Sequence, residues 1–265
     1  MLNSKIKIGG SIILVFVLLA LFAPWLAPYL PGEMNWTLEL QPPNAKHWLG
    51  QDDFGRDILS RVLYGARLSL GVGLVTVVLS ATFGVFTGLL AGYVGGKVEE
   101  LFIFVSDLFM SFPGILLLIA VAAFVPPSVV NIILVLSFVG WVSYARIIRA
   151  QTLELREREF VLASRALGAR RLRIMLRHIL PNALGPLIVA ASLGIAGVIL
   201  AESTLSFLGI GIPPEIPTWG GMLNTGVRYL LIAPHLAFFP GLAIMLTVLG
   251  FNFLGDGLRD LLAKK

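Results

Sequence analysis

No cysteine occurs in the chain, which excludes disulfides, zinc–thiolate centres and thiol catalysis. Histidine is nearly absent as well. His47, His178 and His235 lie far apart with no ligand spacing, so neither a metal site nor any cofactor held by this chain is expected. Charge is equally scarce: Asp, Glu, Lys and Arg make up 13% of the 265 residues, about half the share usual in a soluble domain. What fills the chain instead is apolar, 57% of residues at a mean hydropathy of +0.89. Twenty-eight glycines and fifteen prolines argue against long soluble helices, yet both residue types are tolerated in membrane spans. A net charge of +5 on so apolar a chain points to loop orientation and a lipid boundary, not to nucleic acid. The composition is that of an integral membrane protein.

A bilayer-crossing helix needs about 20 mostly apolar residues. Six runs qualify, at about 8–30, 68–94, 101–125, 129–149, 183–207 and 231–254. None shows the alternating pattern of a transmembrane barrel strand, so the fold class is an all-α bundle of six transmembrane helices. The first run follows Lys5 and Lys7 but exceeds the length of a secretion-signal core, and it reads as a retained anchor. Lys and Arg are retained on the cytoplasmic side. With both termini inside, fifteen of the twenty basic residues are cytoplasmic, among them nine arginines from Arg146 to Arg177 and the terminal Lys264 and Lys265. Lys46, Arg56, Arg61, Arg67 and Arg228 then lie outside. Three regions follow: 1–66 with the anchor helix and an external loop, a five-helix core over 67–257 with a cytoplasmic loop at about 150–182, and a cytoplasmic tail at 258–265.

Gly84, Gly88, Gly92 and Gly96 recur every four residues and share one helical face. Such a face lets another helix approach closely; a substrate path along it is the alternative. Gly92 to Val98 superficially resembles a phosphate-binding loop, but Ala91 and Val98 occupy positions that need Gly and Ser or Thr. Between Asp52 and Ala66, an N-cap at Asp52 or Asp53 and apolar Phe54, Ile58, Leu59 and Val62 predict an amphipathic helix on the outer membrane face. That helix is also a candidate contact for an external protein.

Glu154 to Pro181 is the long polar stretch. Glu159 to Gly168 predicts a short helix with acids in its first turn and a closing glycine. Phe160, Leu162 or Ala163, and Leu167 give it an apolar face, which is costly to leave in water and marks a protein contact. A second basic helix, from about Arg170 to Leu180, is expected to stop at Pro181.

Asp107, Arg146 and Glu202 are ionisable residues within the apolar runs. Asp107 and Arg146 sit at similar depths and suit a structural ion pair or a backbone cap, with Asp107 also a candidate for the translocation path. Glu202 faces the cavity mouth or caps the irregular turn at Gly209 to Pro217; both readings stand.

These residues resemble a family. Ala163, Gly168, Leu180 and Pro181 match the cytoplasmic signature of binding-protein-dependent ABC importer permeases, Glu-Ala-Ala, three residues, Gly, nine residues, Ile-x-Leu-Pro. Leu162, Ser164 and His178 depart from it. The form around Glu159, Phe160, Arg165 and Gly168, followed by Arg177-His178-Ile179-Leu180-Pro181-Asn182, is similar to the peptide and nickel branch. His47-Trp48-Leu49-Gly50-Gln51-Asp52-Asp53-Phe54-Gly55-Arg56-Asp57 resembles the second permease of those importers, with Gln51 replacing the usual Thr. Glu202 to Gly209, followed by Trp219-Gly220, is a third match.

The resemblance implies a type I importer permease in a bacterial or archaeal cytoplasmic membrane. It implies a homologous second permease as partner, two ATPase subunits that bind Mg-ATP, and an external solute-binding protein. In that setting the helix of Glu159, Phe160, Ala163, Ser164, Arg165, Leu167 and Gly168 couples the bundle to an ATPase. Peptide is the expected cargo and nickel the alternative. A stand-alone secondary transporter would need its own ion site in repeated halves, and an intramembrane enzyme a nucleophile–base pair; the sequence displays neither pattern.

Overall fold

The computed structural model describes residues 4–262, so Lys264 and Lys265 of the expected tail lie outside the described residues. Eleven α-helices follow in order: α1 Ser4–Leu21, α2 Ala23–Leu26, α3 Ile58–Val94, α4 Gly96–Met110, α5 Gly114–Ala122, α6 Val129–Leu155, α7 Glu159–Ala166, α8 Arg171–Ile174, α9 Leu180–Phe207, α10 Trp219–Arg228 and α11 His235–Leu262. Five segments are long and apolar enough to cross a bilayer, and counting the bent α4–α5 pair as one span brings them to the six expected. That third span is not the single helix expected over 101–125: α4 and α5 meet at 84°. Pro113 is the cause, since its ring disfavours helical backbone at Phe112 and it has no N–H to continue the ladder.

The helix starts and stops follow from local chemistry. Asp57 caps α3, its Oδ2 accepting from the Ser60 backbone N–H and hydroxyl, both at 2.8 Å. The cap lies at Asp57, not at Asp52 or Asp53, and the segment 58–66 forms the first turns of a 37-residue span. There is therefore no separate amphipathic helix over 52–66. Residues 50–57 form a tight loop instead, because Asp52 accepts from the Phe54 and Arg56 backbone N–H groups at 3.0 and 2.9 Å. Ser128 caps α6 and Thr218 caps α10 in the same way, accepting from the N–H groups of Asn131 and Gly221 at 3.1 and 3.0 Å.

Pro181 does not stop the helix before it. Arg171 to Phe207 runs as one span, with a π-helical turn at Met175–Ile179 just ahead of the proline. The wider turn shifts the hydrogen-bond register so that the missing donor of Pro181 does not break the rod. Asn182 Nδ2 donates to the His178 carbonyl at 2.7 Å and satisfies one group left over.

Packing is most extensive between α3 and α6. A Cβ on Gly84 would stand 2.8 Å from the Ala145 backbone nitrogen, and one on Gly92 would stand 2.9 Å from the Arg149 carbonyl oxygen. Gly88 meets Ala145 in the same manner. These three glycines form a helix-packing face, occupied by α6. Gly96 does not belong to it: it opens α4 at a φ of +55°, with nothing within 4 Å of an added Cβ. At the other side α1 lies along α11, where Gly9 and Gly250 allow backbone-to-backbone approach. The fully buried Trp219 of α10 fills the space among α1, α3 and α11, donating from Nε1 to the Val62 carbonyl at 3.1 Å. It stands edge-on to Phe16 with ring centroids 5.8 Å apart.

Candidate functional site

At one end of the bundle, α7 and α8 form a helix–glycine–helix hairpin between α6 and α9. Glu159 lies in the first turn of α7, where a carboxylate favours the helix dipole. The helix ends two residues before Gly168, which adopts φ +79°. The Gly168 N–H donates to the Arg165 carbonyl at 3.0 Å and the Ala169 N–H to the Ser164 carbonyl at 3.1 Å. This pair of bonds is a Schellman closure, and it needs the left-handed residue that glycine supplies without strain. Nothing stands within 4 Å of a Cβ there, so backbone conformation alone selects glycine.

The hairpin is pinned to the bundle by Val161, Ile174 and Ile179, buried in the cluster that α3, α6 and α9 share. Burying a valine of this kind contributes about 1.5–3 kcal/mol. Its outward face carries the residues expected from the sequence. Phe160 and Leu162 are each 43% exposed and Leu167 is 88% exposed, with Leu172 and Leu176 beside them. Ala163 and Arg165 are exposed too, and the Ser164 hydroxyl turns back to the Phe160 carbonyl at 2.8 Å. The result is a short rigid helix with an apolar tip and no internal partner for it.

The arginines divide into two groups. Arg146 pairs with Asp107 and Arg149 with Glu99, Arg149 Nε lying 3.1 Å from Glu99 Oε1. Arg156 donates to the Gly92 carbonyl at 2.8 Å and pairs with Glu157 at 3.1 Å, and Arg158 pairs with Glu154 at 2.6 Å. These contacts tie the ends of α3, α4 and α6 together beneath the hairpin. Among the described residues Arg165, Arg170, Arg171, Arg173 and Arg177 form no ion pair. Arg165 lies over the Tyr93 ring at 5.8 Å. The hairpin thus presents five uncompensated positive charges around an apolar tip.

The structure brings Asp107 and Arg146 together as the ion pair the sequence suggested, both partly exposed. Glu202 stands apart from them. It is fully buried and lies within hydrogen-bond distance of the hydroxyls of Ser206 at 2.8 Å and of Ser69 and Ser203 at 3.5 Å. Ser206 Oγ also accepts from the Ile212 N–H at 3.4 Å, so the carboxylate anchors the turn after α9 through one serine.

The opposite end of the bundle carries a polar knot that periodicity did not reveal. His47 Nδ1 lies 2.9 Å from Asp57 Oδ1, and its ring stacks on Tyr29 at 4.5 Å. Arg56 Nε donates to Asp52 Oδ2 at 2.7 Å, and Arg61 reaches the same oxygen at 3.5 Å and the Pro31 carbonyl at 3.0 Å. Burial, and next the neighbouring Asp52 charge, raise the carboxyl pKa of Asp53. The density of Asp and Arg in 52–61 was the available signal. Among the described residues no group of three or more His, Asp or Glu is placed to hold a metal ion.

Residues 84–265 match the family described as binding-protein-dependent transport system inner membrane component, and residues 6–43 match the N-terminal transmembrane domain of oligopeptide transport permease C. A dipeptide transport system permease protein, DppC, from Alkalihalophilus pseudofirmus is 45% identical over 264 residues, covering 99% of this chain and 87% of the relative. The oligopeptide transport system permease protein OppC from Bacillus subtilis is 38% identical over 263 residues, covering 99% and 86%. Among solved structures, an inward-facing conformation of the MetNI methionine ABC transporter matches with a TM-score of 0.59 at 21% identity, covering 77% of this chain and 96% of that chain. That likeness carries the fold, a type I ABC importer permease. The spans, the match over most of the chain and the near-full-length relatives agree: this multi-pass inner-membrane transport permease belongs to the binding-protein-dependent transport system inner membrane component family.

Proposed function

We propose that the chain is one permease of an ATP-driven importer for peptides, paired with a homologous permease and driven by two cytoplasmic ATPases. An external solute-binding protein delivers the cargo. The observation that carries this reading is the α7 hairpin: a short helix with an exposed apolar tip, locked by Gly168 and rooted in the core by Val161. Such a patch is stable only when covered. Its five unpaired arginines favour an acidic groove on the covering protein. Both termini and the hairpin are cytoplasmic in this reading, because fifteen of twenty basic residues then lie inside.

Glu159, Phe160, Ala163, Ser164, Arg165, Leu167 and Gly168 make the coupling contact. Closure of the ATPase pair on ATP moves α7, and the Arg156–Gly92 and Arg149–Glu99 contacts carry that movement into α3, α4 and α6. The bundle then opens alternately to each side, a rigid-body switch between two packings. Peptide is favoured over nickel as cargo because the near-full-length relatives are named for dipeptide and oligopeptide transport.

The test is reconstitution in proteoliposomes. The chain with its second permease, ATPases and binding protein takes up labelled dipeptide only with ATP, and the chain alone takes up none. Uptake by the isolated chain contradicts the proposal.

A further inference from the structure

Near the middle of the bundle, α3, α5, α6 and α9 enclose a half-open cavity of about 240 Å³. Its walls are small or aliphatic: Gly140 of α6 and Ala190, Gly194 and Gly197 of α9 leave the space that bulkier residues would fill. Tyr144 enters it from α6. The residue is 6% exposed, and its hydroxyl lies directly against Gly194, where an added Cβ would overlap it. Among the described residues that hydroxyl has no hydrogen-bond partner. Ser80 and Ser143 are the other polar groups on the wall, and no Asp, Glu, Lys, Arg or His lines it.

Ser80, Tyr144 and Gly194 each fall near the centre of a long span, which places the cavity at mid-membrane depth. The Tyr144 hydroxyl opens into the cavity and is free to bond a polar group that enters it. The cavity is smaller than the about 300–1,000 Å³ of sites that enclose a whole drug-sized ligand. It therefore suits one side chain and the adjoining amide, not an entire peptide. The wall offers a hydroxyl donor and acceptor but no countercharge, so it suits a neutral group and not an ammonium, a carboxylate or a metal cation.

We infer that this cavity is a cargo subsite that receives an apolar side chain and its neighbouring backbone amide during passage, with the Tyr144 hydroxyl hydrogen-bonded to that amide. The inference rests on the peptide reading above. Tyr144 and the glycines of α9 then set how large a side chain passes quickly.

The test uses the complete importer in proteoliposomes, supplied with Ala-Ala or Phe-Phe, with ATP hydrolysis followed in parallel. Gly197→Leu fills the cavity, and no atom within 4 Å opposes the new Cβ. It shifts the ratio of Ala-Ala to Phe-Phe uptake about tenfold toward the smaller peptide. Gly71→Leu, equally unobstructed but away from the cavity, leaves the ratio unchanged. Tyr144→Phe slows uptake of both peptides about 2- to 12-fold, the range of one neutral hydrogen bond, without loss of assembly. An unchanged ratio in Gly197→Leu overturns the inference and means that an acyl chain or the second permease covers the cavity. Undiminished uptake in Tyr144→Phe overturns the role of the hydroxyl. If the wild-type importer moves neither peptide while hydrolysing ATP, the peptide reading fails, and this occupant with it.

Discussion

Replacing Gly84 by alanine puts a methyl group where α6 already stands. The added Cβ would lie 2.8 Å from the Ala145 nitrogen and the Tyr144 Cβ, and 2.9 Å from the Trp141 carbonyl oxygen. Ordinary contact begins at 3.4 Å, so the two helices must separate by about 0.6 Å. Two of the three obstacles are backbone atoms, which cannot swing aside as a flexible side chain would. Overpacking of this kind costs about 1–3 kcal/mol. For a chain near this size each kcal/mol lowers the melting temperature by about 2–4 °C, so a drop of about 2–12 °C is expected in detergent-solubilised protein. Gly71→Ala is the matched control. It lies in the same helix with nothing within 4 Å, and trading glycine for alanine in a helix favours the fold by about 0.5–1 kcal/mol. Thermal unfolding of both variants followed by fluorescence decides the matter. Equal melting temperatures for Gly84→Ala and Gly71→Ala would refute the claim that the glycine face is an α3–α6 packing surface.

Glu202→Gln is expected to keep wild-type uptake, while Glu202→Leu, which strands the hydroxyls of Ser69, Ser203 and Ser206, lowers stability by about 1–3 kcal/mol. A changed half-saturating peptide concentration in Glu202→Gln would instead put this carboxylate in the cargo path. At Asp53 burial outweighs the attraction of Arg56, 3.7 Å away, so the shift is opposite to that of an acid held ionised by its partner. Its pKa is raised by burial and then by Asp52, so the charged form opposes folding above the raised value and the opposition fades as pH falls through it. Asp53→Asn is therefore expected to stabilise the protein at neutral pH and to lose that advantage in acid, read by melting temperature against pH. A gain that persists or grows in acid would contradict it.

Much of this architecture was legible in the sequence because hydrophobic length is decisive in a membrane. The long spans, the Gly84–Gly92 face, the Asp107–Arg146 pair and the short helix closed by Gly168 all follow from local patterns. What escaped depended on contacts or on register. Pro181 reads as a stop, yet the π-turn just ahead of it absorbs the missing donor and the span continues to Phe207. Pro113 lay inside a run long and apolar enough to read as one span, which hid the bend between α4 and α5. Asp57 outcompetes Asp52 and Asp53 as the α3 cap because those two are engaged with Arg56. The cavity around Tyr144 needed four helices in place before it existed. Helix α10, ten residues opening on Thr218, was visible only as Trp219-Gly220.

The central claim is that α7 passes work from an ATPase to the bundle, and Gly168→Asp tests it most directly. A non-glycine residue at φ +79° costs about 1–2 kcal/mol of local strain, and a carboxylate then stands among the unpaired arginines at the tip of the hairpin. Uptake and ATP hydrolysis are measured together in the reconstituted importer. The account predicts that the Gly168→Asp complex assembles and hydrolyses ATP while peptide uptake falls at least tenfold; uptake per ATP equal to that of the wild type would contradict it.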